Sequence, residues 1–208
     1  MSYLYICGNC GKEKNLETSW RGIPCSNCGR TMKNNGRVVW NIPSFSNRQN
    51  LYQFFGRLFE QTGFKQYAEI IWDKKQISSR TAWGSFASAS EPNILPRHEY
   101  ILVYYKLEKN KGKGEDTISK TSFIKWTDGM WEFTPETRSN HPAPFPKELP
   151  SRCIEMFSYK NDLIFDPFMG SGTTARACID LKRRFIGAEL SEEYCQMWEN
   201  KLKQQTLL

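Results

Sequence analysis

Asp166, Gly170, Gly172, Thr173 and Glu189 fall in one stretch, "FDPFMGSGTTARACIDLKRRFIGAEL" (165–190), whose residue types suit a single ligand. An apolar run, "DLIFD" (162–166), ends in Asp166, and a helix is predicted to begin near Gly172 to Thr174. Ligands of open α/β sheets bind outside the carboxyl ends of such strands. The two glycines let backbone come close to a ligand, and the helix start offers free N–H groups and a positive dipole end. "GSGTT" lacks the lysine of a GxxxxGK[ST] loop, which argues against a nucleoside triphosphate. A GxGxxG dinucleotide fingerprint asks for glycine at 175, where Ala175 is a permitted but weak variant. The acids discriminate. Asp166 can accept from a ligand ammonium, and Glu189 ends the next apolar run about twenty residues on, where an acid binds ribose hydroxyls. An ammonium, a carboxylate and a ribose in one ligand describe S-adenosylmethionine better than NAD. The competing interpretation is an ordinary strand, glycine turn and helix with no ligand.

A second constellation sits at the start of the chain. "CGNCGK" begins at Cys7 and "CSNCGR" at Cys25, giving two CxxC pairs, Cys7/Cys10 and Cys25/Cys28, each followed by glycine (Gly11 and Gly29). A CxxC turn aims two thiolates at one point, and two such turns brought together give a closed tetrahedral zinc site of the structural kind. A thioredoxin-like redox motif would need one CxxC at a strand-to-helix junction, so zinc is the expectation, with folding of residues 3–33 as its role. Lys12, Lys14, Arg21, Arg30 and Lys33 leave contact between this module and DNA open.

The elements that position these residues follow from periodicity. Strands are expected at 36–42, 67–74, 98–106 and 162–166, and a helix over 48–63, where Leu51, Phe54, Phe55, Leu58 and Phe59 keep helical spacing and Gly63 marks a stop. Residues 77–96 read as a polar loop too long for mere connection. Residues 107–120 read as a charged, flexible excursion, and 126–146 as irregular chain anchored by Trp126, Trp131 and Phe133. A short helix over 147–159 is expected to be interrupted near Pro150, with helix, strand and helix after Asp166. The alternation predicts an α/β fold with a largely parallel sheet and a small N-terminal module, divided as 1–33 and 34–208.

The formal charge of +7 and a pI near 9.0 point to a polyanionic partner such as nucleic acid, against the simpler possibility of a solvated basic surface. No run of 18 apolar residues suggests a membrane span, and the N-terminus lacks the pattern of a signal peptide. Of seven cysteines, four lie in the CxxC pairs, which fits a reducing, cytoplasmic compartment.

"DPFMGSGTT" resembles the cofactor motif of DNA amino-methyltransferases, which methylate the exocyclic amine of adenine (N6) or cytosine (N4). Other segments are similar to that family in its permuted order, the restriction-modification type with the cofactor motif C-terminal: "HPAPFPKELPSRCI", "EIIWDK", "TAWGSFASAS", "HEYILVYYK" and "RFIGAELSEEYC". The resemblance runs from about residue 31 to 203. It implies a Rossmann-like methyltransferase sheet, S-adenosylmethionine as methyl donor, and double-stranded DNA with the target base flipped out. It places Asp166, Phe168, Gly170, Gly172 and Thr173 around the methionine part, Glu189 on the ribose, and Phe145 and Pro146 beside the cofactor, with Pro167 and Ser171 also among the cofactor-binding residues. Loops 77–96 and 107–135 would face DNA, with Arg80, Arg97, Lys111 and Lys113 as candidate phosphate contacts.

The family's catalytic motif, an acid, asparagine or serine followed by Pro-Pro and an aromatic, has no counterpart, because the chain contains no Pro-Pro dipeptide. "NIPSF" (41–45) is the nearest imitation, lacks the second proline, and follows the strand that the family places downstream of catalysis. No catalytic residue is therefore assigned. The expectation is an incomplete sheet, with the place beside the cofactor strand empty or filled by the N-terminal module. The chain is therefore expected to be the C-terminal part of a methyltransferase, needing a further N-terminal part or a partner chain to act. The alternative is an inactive zinc-ribbon DNA-binding subunit that keeps only a remnant methyltransferase fold.

Overall fold

The structure, a computed structural model, describes residues 3–7, 13–16, 36–43, 50–75, 84–94, 96–106, 109–136 and 145–206. Two compact units divide the chain: one of Met1–Lys33, Lys113–Ser119 and Glu136–Leu208, the other of Asn34–Gly112 and Lys120–Pro135.

The first unit carries a four-stranded sheet in the order β2-β1-β8-β7, from β1 (Tyr3–Cys7), β2 (Glu13–Leu16), β7 (Leu163–Asp166) and β8 (Arg184–Glu189). Strands β7 and β8 run parallel, with Asp166 level with Gly187, while β1 runs antiparallel to β8 and sets Leu4 opposite Glu189. The N-terminal hairpin is thus an edge of the same sheet as β7 and β8. It extends β8 and leaves the other side of β7 with no strand among the described residues. This resolves the two sequence-level alternatives for the place beside β7: the described part of the N-terminal segment does not fill it. It also explains why β7, expected to be a buried strand, is only half-buried at all four residues.

Helices α3 (Glu148–Phe157), α4 (Thr173–Asp180) and α5 (Glu192–Thr206) complete this unit. Their core joins Ile154, Met169, Ala175, Ala177, Cys178, Phe185 and Trp198. Pro150 does not interrupt α3. It lies in the first turn, where a backbone N–H has no intrahelical partner to lose.

The segment expected to be a flexible excursion is instead pinned over 113–119. An added Cβ at Gly114 would sit 2.3 Å from the Tyr159 ring, Lys160 pairs with Glu115 at 2.6 Å, and Arg183 donates to Thr117 Oγ1 at 2.7 Å. Arg183 is buried and also donates to the Ser158 carbonyl (2.8 Å), the Ser158 hydroxyl (3.1 Å) and the Leu181 carbonyl (2.6 Å). Burial pulls its pKa down, and the nearby Glu155 and Asp162 carboxylates oppose that pull. Charge alone suggested solvation; hydrogen bonding to one guanidinium overrides it.

The second unit has a sheet ordered β3-β5-β4-β6, from β3 (Arg37–Pro43), β4 (Phe64–Asp73), β5 (His98–Lys106) and β6 (Met130–Glu132). Strand β5 is antiparallel to both β3 and β4, and β6 is parallel to β4. The largely parallel sheet expected from alternation is therefore corrected to mixed sheets, since alternation fixes which segments are strands and not how they pair. Helix α1 (Leu51–Gln61) starts at Asn50, whose side chain accepts from the Gln53 N–H at 3.2 Å, and ends before Gly63 at φ +84°. Its Leu51, Tyr52, Phe55 and Phe59 pack on Ile42, Leu102 and Tyr104. Helix α2 (Lys120–Trp126) and β6 replace part of the irregular stretch. The expected anchors hold there: Trp131 is fully buried and donates to the Trp126 carbonyl at 2.9 Å, and Trp72 stacks on Phe133.

Replacing Arg183 by Met strands several buried acceptors and should cost about 2–4 kcal/mol in a urea unfolding titration. Lys160→Ala, which breaks only an exposed ion pair, should shift the same titration by less than about 0.5 kcal/mol.

Candidate functional site

The site is built where β7 and β8 end side by side. Asp166 closes β7, and its Oδ1 accepts the N–H of Phe168 at 2.9 Å, which bends the chain away from the strand. The turn then passes Gly170 (φ +51°) and Gly172 (φ +82°), the latter serving as N-cap of α4. Both adopt the left-handed backbone that side chains disfavour. At Gly172 there is a second reason for glycine: an added Cβ would lie 2.3 Å from the ring of buried Trp198. Thr173 opens α4, so its N-terminal backbone donors face the turn.

Glu189 closes β8 and reaches across to the turn. Its Oε2 accepts the Gly170 N–H at 2.7 Å, while Oε1 accepts Leu190 N–H at 2.8 Å and Ser191 N–H at 2.9 Å. A carboxylate offers about four lone-pair sites, so these three bonds leave Oε2 able to accept one more donor, such as a ligand hydroxyl. Strand and turn are also joined directly, since Met169 N–H donates to the Ala188 carbonyl at 3.0 Å.

A small pocket beside this junction is lined by Met169, Gly170, Gly187, Glu189, Tyr194, Cys195 and Trp198. Apart from Gly170 and Glu189, none of these was singled out from sequence. A signal existed at Gly187, because glycine inside a strand marks close approach; an added Cβ there would overlap the Met169 side chain. Tyr194 and Trp198 stand four apart on α5, which brings both to one face. Two large apolar side chains stand exposed at the site, Phe168 at 67% and Leu190 at 63%, each within two residues of one of the acids. Such surfaces can cover a flat heterocycle.

Not all predicted residues converge. Pro167 and Ser171 are half-buried members of the turn, whereas Phe145 and Pro146 are half-buried ahead of α3 and do not line the pocket. Arg97 is exposed next to β5, Lys111 is half-buried, Lys113 is exposed, and Arg80 lies outside the described residues. Cys7 ends β1, while Cys10, Cys25 and Cys28 lie outside the described residues. Among the described residues no cluster suited to a metal occurs.

Comparison with known proteins gives this geometry a family. The DNA methylase model for N6 and N4 methyltransferases matches residues 18–200. The chain belongs to that family. It is 46% identical over 174 residues to the orphan methyltransferase M.BamHII of Bacillus amyloliquefaciens, covering 79% of this chain and 60% of that protein. It is 32% identical over 194 residues to the type II methyltransferase M.MjaI of Methanocaldococcus jannaschii, covering 87% and 61%. With M.MjaVI of the same organism it shares 40% identity over 111 residues, 51% of this chain and 57% of that protein. The chain thus spans about three fifths of the length of these relatives. Among solved structures, a protein described as a DNA modification methylase from Thermus thermophilus, complexed with S-adenosyl-L-methionine, aligns at 25% identity and TM-score 0.64, covering 82% and 69%. The M1.HpyAVI–SAM complex aligns at 26% identity and TM-score 0.59, covering 81% and 75%. In this methylase-family chain no described helix is long and apolar enough to cross a membrane.

Gly172→Ala combines a disfavoured φ with a clash against Trp198, and should destabilise the chain by roughly 2–4 kcal/mol in thermal or urea unfolding. Burial, reinforced by the Asp166 carboxylate, pushes the Cys178 thiol up to about 12. Cys178 should therefore stay protonated and resist DTNB at pH 8 until denaturant is added, as peptide mapping of the labelled thiols would show.

Proposed function

We propose that the chain carries the cofactor-binding part of a DNA methyltransferase that moves a methyl group from S-adenosylmethionine to the exocyclic amine of adenine (N6) or cytosine (N4) in double-stranded DNA. The observation that carries this proposal is the paired ends of β7 and β8, where Asp166 and Glu189 flank a glycine turn capped by a helix N-terminus. S-adenosylmethionine supplies an electrophilic methyl group on sulfonium sulfur, which the amine nitrogen takes as the S–C bond breaks and the amine loses a proton. Asp166 keeps an acceptor for the ammonium, since only its Oδ1 is used by the Phe168 N–H bond. Glu189 accepts a ribose hydroxyl at Oε2, and Leu190 offers an apolar surface to the adenine. The bound S-adenosylmethionine of a structural relative supports this cofactor.

The group that orients the target amine is, in this proposal, supplied by a segment outside these 208 residues or by a partner chain. The lack of a Pro-Pro dipeptide supports this, as does the edge of β7 that no described strand pairs. We further propose that Cys7, Cys10, Cys25 and Cys28 hold a structural zinc, supported by their two-pair spacing and by the position of Cys7 at the end of β1, which pairs with β2 as a hairpin. We also propose a restriction-modification role, supported by relatives named as type II methyltransferases, and a cytoplasmic location, supported by the reducing compartment that the paired cysteines suit.

Calorimetry should show S-adenosylmethionine binding that weakens about tenfold or more in Asp166→Ala and in Glu189→Ala, each of which removes a charge-assisted contact. The isolated chain should transfer no methyl group to duplex DNA. Robust methylation by highly purified chain, abolished by Asp166→Ala, would refute the need for an outside segment.

A further inference from the structure

One end of the sheet of the second unit gathers cations around two tyrosines. In register across β3, β5 and β4, Arg37 stands opposite Tyr105 and Tyr105 opposite Lys65, with Phe64 opposite Lys106 one step on. The ladder of β4 slips between Gln66 and Ala68, so Tyr67 is the extra residue of a bulge, a device that re-aims a side chain. There its ring is 43% exposed and meets the Tyr105 ring edge-on. The Arg37 guanidinium lies 5.1 Å from the Tyr67 ring centre and 5.8 Å from that of Tyr105, and the Lys109 ammonium lies 5.7 Å from Tyr67. Arg37 also donates to the Lys109 carbonyl, and the Lys106 ammonium stands 5.0 Å over the Phe64 ring.

The two ends of this sheet differ in how their lysines are matched. At the other end Lys74 pairs with Glu99, and Lys75 with Glu132 at 2.7 Å. Lys65, Lys106 and Lys109 are exposed, and no carboxylate among the described residues pairs with any of them. The sequence reinforces the imbalance: between Tyr105 and Gly114 stand four lysines and one acid, Glu108. Like charges crowded together repel, which costs stability unless an anion joins them. The ring contacts hold Arg37 and Lys109 close in spite of that repulsion. Cations ordered beforehand lose less freedom when an anion arrives.

We propose that Lys65, Lys106 and Lys109 contact the phosphodiester backbone of duplex DNA whatever its base sequence, with Tyr67 as the positioning residue for Lys109. This rests on the DNA reading given above. Lysine binds phosphate as a point charge, without the fork geometry that matches a base edge. Cations lie over the Tyr67 ring, so the surface offers charge and not a bare platform for stacking, which favours backbone phosphate over unpaired bases.

The test uses the full 208-residue chain and a duplex of arbitrary sequence, followed by fluorescence anisotropy over a series of salt concentrations. Each phosphate contact contributes about 0.9 to the slope of log affinity against log salt, so Lys65→Gln/Lys106→Gln/Lys109→Gln should flatten it by about 2 to 3. A charge-matched control, Lys75→Gln/Lys147→Gln/Lys160→Gln, removes lysines that pair with carboxylates and should change the slope by less than about 1. Tyr67→Leu should weaken binding about threefold with the slope kept, while Tyr67→Phe, which keeps the ring, should bind as the wild type does. An unchanged slope in the first variant, the outcome if this surface serves an acidic protein instead, overturns the proposal. So does an equal loss in the control, no binding by the wild type, or Tyr67→Leu binding as tightly as Tyr67→Phe. Cofactor titrations on the same samples separate the failures. A chain that shows the expected slopes and binds no S-adenosylmethionine sinks the cofactor reading and keeps this contact, whereas intact cofactor binding with unchanged slopes sinks this contact alone.

Discussion

The bond from the Gly170 N–H to the Glu189 carboxylate is the constraint on which the site depends. It joins the turn after one strand to the end of the next, so the acid that can receive a ligand also fixes the backbone that admits it. Three backbone donors converge on that carboxylate, and such charge-assisted bonds are stronger than neutral ones. The glycines, the helix start and the parallel register of β7 and β8 are arranged around that link. Trp198 completes it from below by filling the space that a side chain at 172 would need.

This arrangement is all on one unit, and so is the sheet that carries it. The N-terminal hairpin pairs with β8 and places Leu4 opposite Glu189, so the start of the cysteine-rich segment is built into the sheet of β7 and β8 and is no mere appendage. The opposite margin is the side of β7 that no described strand pairs. Leu163, Ile164 and Phe165 are half-buried, as fits a strand that no described strand pairs on one side. In the proposed function, cofactor binding and target activation separate physically: the first is assigned to the groups at the ends of β7 and β8, and the second to a segment or partner elsewhere.

Much of the site could be read from residue order because it depends on local chemistry. "DPFMGSGTT" declares its turn through glycines at positive φ, one of which, Gly172, has no room for a side chain beside Trp198, and Glu189 follows at the spacing of the next strand. Helix α1 was equally legible from the spacing of its aromatics. Strand pairing was not legible, because period-two patterning says which residues face inward and nothing about the neighbour. Hence the antiparallel β5 between β3 and β4, and β1 against β8, emerged only in three dimensions. Segment 113–119 was misjudged for a related reason: its charges suggested solvent, while its order comes from Arg183 and Tyr159, far away in sequence. Trp198 and Met169 were passed over because the pocket floor is made by long-range packing and carries no motif.

The central claim is that these residues bind S-adenosylmethionine at the Gly170–Glu189 junction without help. Backbone amide chemical shifts followed during titration with the cofactor test it most directly. The account predicts saturable shifts at Gly170, Gly172, Thr173 and Leu190, with the amides of β3 to β6 unmoved. Saturable shifts confined to other parts of the chain, or none at all at cofactor concentrations that saturate complete methyltransferases, would contradict it.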